Sequence, residues 1–117
     1  MLADSRFVGN VGWRQFDTIN SNFRQAGYGW SADGGRNWTV PGVLDPGIFR
    51  SDPVLASNAE GRFYYYSLVH IDAILCDMFV SDDQGETWAG PIEAFGGDKA
   101  WLAIDTTEGS GRGNIYI

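Results

Sequence analysis

The sequence predicts an all-β fold made of four-stranded antiparallel meanders, and three observations carry that prediction. Sixteen glycines in 117 residues are about twice the usual ~7% share, and they separate short apolar runs without a collagen-like period, the pattern of frequent tight turns. One turn is written twice: "SADGGRNW" at 31–38 and "SDDQGETW" at 81–88 both read Ser-x-Asp-x-Gly-x-x-Trp, and positions 31 and 81 are 50 residues apart. A second pair repeats in near phase. "DPVLASNAEGRFYYYS" from Asp52 and "DKAWLAIDTTEGSGRGNIYI" from Asp98 each run from an Asp through Leu-Ala, an Asn or Asp and a Gly-rich turn to an aromatic run, with their starts 46 residues apart.

A unit of this length is the size of a propeller blade, which holds four strands. In the complete unit, apolar and β-branched runs bounded by turn signals place strand one at Val54–Ser57, a turn at 58–61, strand two at Arg62–Leu68, strand three at Ala73–Ser81, a turn at 82–85 and strand four at Glu86–Ala89. The same template gives strands two to four of a preceding unit at Phe7–Phe16, Gln25–Ser31 and Arg36–Val40. It gives strands one and two of a following unit at Trp101–Ile104 and Asn114–Ile117. The expected organisation is thus the end of one unit over 1–45, a whole unit over 46–95 and the start of a third over 96–117, incomplete at both ends. Such a piece leaves apolar faces and strand edges bare, so marginal stability or aggregation of the isolated segment is expected.

Composition narrows the function classes. With 44% hydrophobic residues and 15% aromatics the chain packs a core rather than remaining disordered. A net charge of -7 and a pI near 4.4 supply no basic stripe for nucleic acid. Cys76 stands alone, and neither it nor His70, the one histidine, sits in a zinc-type spacing. No metal or cofactor is expected. The segment contains no signal-peptide pattern and no run of ~20 apolar residues to span a membrane.

The repeated turn has a structural explanation for each fixed residue. Asp33 and Asp83 accept backbone N–H bonds inside the turn, and Gly35 and Gly85 supply positive φ. Ser31 and Ser81 add a second side-chain bond, while Trp38 and Trp88 cover the turn with a broad apolar face. A calcium role is disfavoured because one Asp in a turn falls short of six to eight oxygens. A paired catalytic role is disfavoured because the two copies fall on different units, whereas glycosidase carboxylates face one substrate.

These two copies resemble the Asp-box, or bacterial neuraminidase repeat, of sialidase-like β-propellers, and "DPVLASNAEGRFYY", "DKAWLAID", "RGNIYI" and "GYGWSADGGRNW" are similar to recurring blade phrases of that family. The resemblance covers nearly the whole chain. It implies a partial propeller completed by further blades, extracellular or periplasmic export, and a glycan or glycoprotein partner. In a meander, the one-to-two and three-to-four turns share one face with the Asp-boxes. The other face collects 17–24, 46–52, 70–72 and 96–99, and in the family this face carries substrate. Its polar candidates are Arg50, Asp52 and Asp98 for catalysis and His70, Asp72, Lys99 and Trp101 for substrate contact. Each also has a plain structural reading: a cap and turn at "FRSDP", solvated loop residues at His70 and Asp72, a local ion pair at Asp98-Lys99. Tyr64, Tyr65 and Tyr66 alternate sides of strand two, so at least one is core and one is placed to edge a groove.

A sialidase of the usual kind uses three arginines on the substrate carboxylate, a tyrosine nucleophile with its glutamate, and an acidic Asp. Arg50 stands near the place of the first family arginine, yet Ser51-Asp52 occupy the position of the expected Ile, and no other member of the set can be assigned. The expectation is a noncatalytic glycan- or protein-recognition propeller. The alternative is part of an exo-α-sialidase-type glycoside hydrolase.

Overall fold

The computed structural model describes residues 8–70 and 72–117. Among them the chain forms three antiparallel sheets. The first holds β1 (Gly9–Phe16), β2 (Arg24–Ser31) and β3 (Thr39–Val43) in the order β1-β2-β3. The second holds β4 (Ser51–Ser57), β5 (Phe63–His70), β6 (Leu75–Ser81) and β7 (Ala89–Glu93) in the order β4-β5-β6-β7, and the third pairs β8 (Ala103–Ile104) with β9 (Ile115–Tyr116). Every neighbour in a sheet is also the neighbour in sequence, so each sheet is a meander.

The interval seen between the two turns extends into the backbone. The β2–β3 ladder slips between Tyr28 and Trp30, and the β6–β7 ladder slips between Met78 and Val80, the same positions one repeat later. After the last strand, Leu44 N–H donates to Ala26 O (2.9 Å) and Ala94 N–H donates to Cys76 O (3.1 Å). Near the start of strand one, the left-handed φ of Asp52 (50°) is echoed ahead of β8 at Lys99 (61°), at the spacing that separates Leu55-Ala56 from Leu102-Ala103.

Strand four begins later than the sequence suggests: at Thr39 rather than Arg36, and at Ala89 rather than Glu86. The cause is the Asp-box. Asp33 Oδ1 accepts from Arg36 N–H (3.1 Å) and Asn37 N–H (2.9 Å), and Asp83 Oδ1 accepts from Thr87 N–H (2.8 Å), so these donors are taken before any ladder forms. Strand one of the complete unit starts earlier, at Ser51, because Ser51 pairs with Leu68 across an irregularity before Val54. The expected start of the first strand, Phe7, lies outside the described residues.

The middle sheet is covered on both faces. Ala26 and Tyr28 of β2 pack with Leu44 onto Leu55, Tyr65, Phe79 and Trp88 of one face. On the opposite face Tyr64, Tyr66, Leu68, Cys76 and Met78 are covered by Ala94, Ala100, Leu102 and Ile104. Tyr64, Tyr65 and Tyr66 are all buried, at 8%, 0% and 0% exposure, and Tyr66 also lines a cleft against the β8–β9 sheet. Alternation does place them on different sides, but both sides carry a neighbouring sheet. The first sheet approaches so closely that Tyr65 Oη donates to Gly27 O at 2.9 Å, and a Cβ on Gly12 would lie 2.7 Å from Leu55 Cδ1 and 2.8 Å from the Tyr65 ring. Desolvation accordingly pushes the Tyr65 phenol well above its ordinary value.

Candidate functional site

Two ends of the sheets are distinguished by what ties them together. On one end, Asp-box turns and one-to-two turns are cross-linked: Arg62 Nε donates to Asp82 Oδ1 (2.6 Å) and Arg112 Nε donates to Glu60 Oε1 (3.1 Å). Both boxes are closed units. Ser31 Oγ donates to Asp33 Oδ1 (2.9 Å) and accepts from Gly35 N–H (2.9 Å); Ser81 Oγ does the same toward Asp83 and Gly85 (2.8 Å each). Trp38 Nε1 donates to Gly35 O (3.0 Å) and Trp88 Nε1 to Gly85 O (3.1 Å). The Asn37 side chain, then its backbone N–H, holds the Asp33 carboxyl down at about 2, and the Thr87 hydroxyl and backbone N–H lower Asp83 in the same way. With their oxygens committed to the turn, these carboxylates are poorly placed to serve a ligand.

The opposite end gathers the β1–β2 loop, the β3–β4 link, the β5–β6 turn and the β7–β8 link. Gly47 N–H donates to Gln25 Oε1 (2.6 Å), and Arg50 N–H donates to Arg24 O (2.9 Å), joining the start of β2 to the β3–β4 link. Here the structure sorts the sequence candidates into three groups.

Arg50 turns inward. It is 1% exposed, its Nη1 donates to Asp77 Oδ2 at 2.8 Å and its Nη2 to Asp45 Oδ2 at 2.7 Å, and the guanidinium stands 5.0 Å over the Phe79 ring. Both ends of the fork of this catalytic candidate are thus occupied by carboxylates inside the protein. Its neighbour Asp52 turns outward. Held at positive φ, a conformation costly for a residue with a Cβ, it accepts from Ser51 Oγ (2.8 Å) and lies 3.9 Å from the exposed Arg14 guanidinium. Arg24 stands beside them, its Nε donating to Ser51 Oγ (3.0 Å) and its guanidinium stacked 4.8 Å from the Phe49 ring and 5.8 Å from Phe16. Sequence reasoning missed Arg14 and Arg24. Their signal was alternation along β1 and β2, legible only once the pairing of Arg14 with Ala26 puts them on the sheet-facing side.

Asp98, Lys99 and Trp101 are brought together. With Tyr66, Phe95 and Gly96 they line an open cleft of about 640 Å³ between the middle sheet and the β8–β9 sheet. Trp101 is 80% exposed and Phe95 72% exposed, two aromatic faces presented to solvent on its walls. Tyr66 Oη donates to Phe95 O (3.3 Å), and a Cβ on Gly96 would run into that hydroxyl oxygen, so only glycine fits at this backbone with φ 123°. Burial first, and Cys76 second, push the Tyr66 phenol up, keeping it a neutral donor. His70 and Asp72 remain apart, exposed at the β5–β6 turn and outside the cleft lining; Ile71 between them lies outside the described residues.

Among the described residues no three metal-ligating side chains converge, and no helix is long and apolar enough to cross a membrane. The chain matches no family model, no curated protein and no solved structure.

Proposed function

We propose that this chain is part of a sialidase-like β-propeller whose role is glycan recognition, and that the cleft lined by Phe95, Asp98, Lys99 and Trp101 is where it binds. The observation that carries the reading is this pair of exposed aromatic faces beside a carboxylate and an ammonium, on the end of the sheets opposite the Asp-boxes. An aromatic ring presents a negative face to the C–H groups of a sugar ring, and Asp98 and Lys99 supply an acceptor and donors for hydroxyls. A volume of about 640 Å³ falls within the range of small-ligand sites. Three successive sheets stacked face to face, with turns, ladder slips and closing bonds recurring at one interval, support the propeller reading.

Binding to an array of neutral and acidic glycans, lost on Trp101→Ala while thermal unfolding is unchanged, is the expected result. Binding that survives both Trp101→Ala and Phe95→Ala would refute this site. The hydrolase reading rests on a separate observation, the exposed Asp52 beside Arg14 and Arg24. A guanidinium pair suits a substrate carboxylate, so release of a fluorogenic sialoside leaving group that is abolished by Arg14→Ala supports hydrolysis over recognition.

A further inference from the structure

The β1–β2 loop gathers apolar side chains that lie outside both core clusters, beside an arginine that is held still. Phe16 ends β1 and Phe23 precedes β2, and both are exposed, while Ile19 between them is 99% exposed. The loop is shaped by its own side chains. Asn20 N–H donates to Thr18 Oγ1 (3.1 Å) and Phe23 N–H to Ser21 Oγ (3.1 Å), short-range bonds of the kind that fix turns. Phe16, Asp17, Ile19 and Asn22 line a hollow of about 580 Å³, within the range of small-molecule sites. It lies where the strands turn, beyond the pair Phe16 and Arg24 that closes the ladder, and not on a sheet face.

Arg24 stands at the rim of that hollow. Asn22 accepts from Arg24 Nη1 through its backbone O (3.1 Å) and its Oδ1 (3.2 Å), and the Phe16 ring is 5.8 Å from the guanidinium. Ser51 Oγ takes Nε (3.0 Å), and the Phe49 ring stands 4.8 Å away. Nη2 is left without a protein partner among the described residues. An arginine already fixed in this way, with one NH2 group to spare, binds an oxyanion with little further loss of side-chain freedom. Arg14 is its diagonal neighbour on the same face of the ladder, since Arg14 pairs with Ala26, two residues along from Arg24. Two carboxylates border the site: Asp17, which accepts from Gln25 Nε2 (3.3 Å), and Asp52, 3.9 Å from Arg14. They offset the two guanidiniums, so a group with a single negative charge suits the site better than a multiply charged one.

We propose that this loop end binds a small molecule in which a singly charged oxyanion, a carboxylate or a sulfate monoester, is carried on an apolar body. The anion sits on Arg24 Nη2 with Arg14 beside it, and the apolar part lies along Phe16 and Ile19 in the hollow. The net charge of -7 sets the surface against an anionic membrane, so the ligand is a single molecule. None of its residues belongs to the Phe95–Trp101 cleft, so the proposal is independent of glycan recognition there.

Titration of the full chain with phenylacetate, phenyl sulfate, acetate and benzyl alcohol, followed by NMR shifts, tests it. Phenylacetate or phenyl sulfate is expected to move the signals of Phe16, Ile19 and Arg24 and to bind about tenfold more tightly than acetate or benzyl alcohol, since only these two satisfy both halves of the site. The tighter of the two identifies the anion. Arg24→Gln removes the guanidinium and is expected to weaken that ligand about tenfold while leaving benzyl alcohol unchanged. Ile19→Ser, at a position too exposed to support the fold, is expected to weaken it as well and keeps the test open should Arg24→Gln fail to fold. Aryl anions that bind no more tightly than acetate overturn the proposal, and so does binding that is unchanged in Ile19→Ser or in a folded Arg24→Gln protein.

Discussion

Replacing Arg50 by Ala is expected to act on the stability of the protein rather than on a ligand. The guanidinium is 1% exposed and bridges Asp45 and Asp77, which keep 26% and 15% of their side-chain surface. Removing one partner of a buried ion pair costs about 3–5 kcal/mol, because the remaining charge is left without compensation. The residual exposure of both carboxylates lets water recover part of that, so the lower end, about 3 kcal/mol, applies here. Loss of the contact with Phe79 at 5.0 Å acts in the same direction. Against a domain stability of about 5–15 kcal/mol this is a large fraction. With a urea dependence of about 1.5 kcal/mol per molar, the unfolding midpoint falls by about 2 M. Urea titration followed by tryptophan fluorescence reads the shift directly. Arg50→Met combined with Asp45→Asn and Asp77→Asn is expected to recover much of the loss, since no unpaired charge remains inside. An Arg50→Ala protein with an unchanged midpoint and abolished glycan or sialoside recognition would refute the argument and return Arg50 to the ligand.

The two Asp-boxes differ in what lies beneath them. Trp88 packs edge-on against Tyr65 and Tyr28 at 5.8 and 6.3 Å, whereas Trp38 is 44% exposed; Asp83→Ala is expected to lower the melting temperature by about 4–8 °C for a loss of about 1 kcal/mol, and Asp33→Ala by less. Equal losses from the two would contradict this ranking. The depressed carboxyls of Asp33, Asp83 and Asp105 bind protons more readily unfolded than folded, so their contribution is complete above an ordinary carboxylate value of about 4 and disappears as pH falls toward about 2. Calorimetry across that window should show a falling melting temperature, less steep in Asp33→Asn, and parallel curves for the two proteins would exclude the assignment. Gly12→Ala places a methyl against Leu55 and the buried, hydrogen-bonded Tyr65 ring; a destabilisation of about 1–3 kcal/mol is expected from overpacking, and a neutral outcome in urea titration would refute it.

Much of the repeat was legible because it is written in local chemistry. The paired Ser-x-Asp-x-Gly-x-x-Trp stretches specify their own turns through bonds between near neighbours, such as Gly35 N–H to Ser31 Oγ, and those bonds form whatever surrounds them. The strands between them follow from apolar runs bounded by such turns, which is why β2, β5 and β6 lie close to their expected limits. The late start of strand four was equally local, since the box consumes the N–H groups of residues 36, 37 and 87, but the motif alone does not say how far its bonds reach.

Side-chain direction relative to distant sheets is where sequence reading stopped. Arg50 and Asp52 flank a single serine in a polar stretch, and no pattern within "FRSDP" distinguishes the buried guanidinium from the exposed carboxylate. The distinction arises from Asp77, far along the chain, and from the sheet that closes over both. The same holds for the cleft: Asp98, Lys99 and Trp101 are near neighbours in sequence, but Tyr66 and Ile117 meet them only because β5 and β9 are folded alongside. By itself the sequence determined the all-β character, the length of the repeating unit and the turns that punctuate it, since those are set by bonds between near neighbours. The tertiary structure decided which tyrosines are buried, which arginine is structural and which loop residues share a cavity, because burial depends on what another part of the chain brings across the sheet.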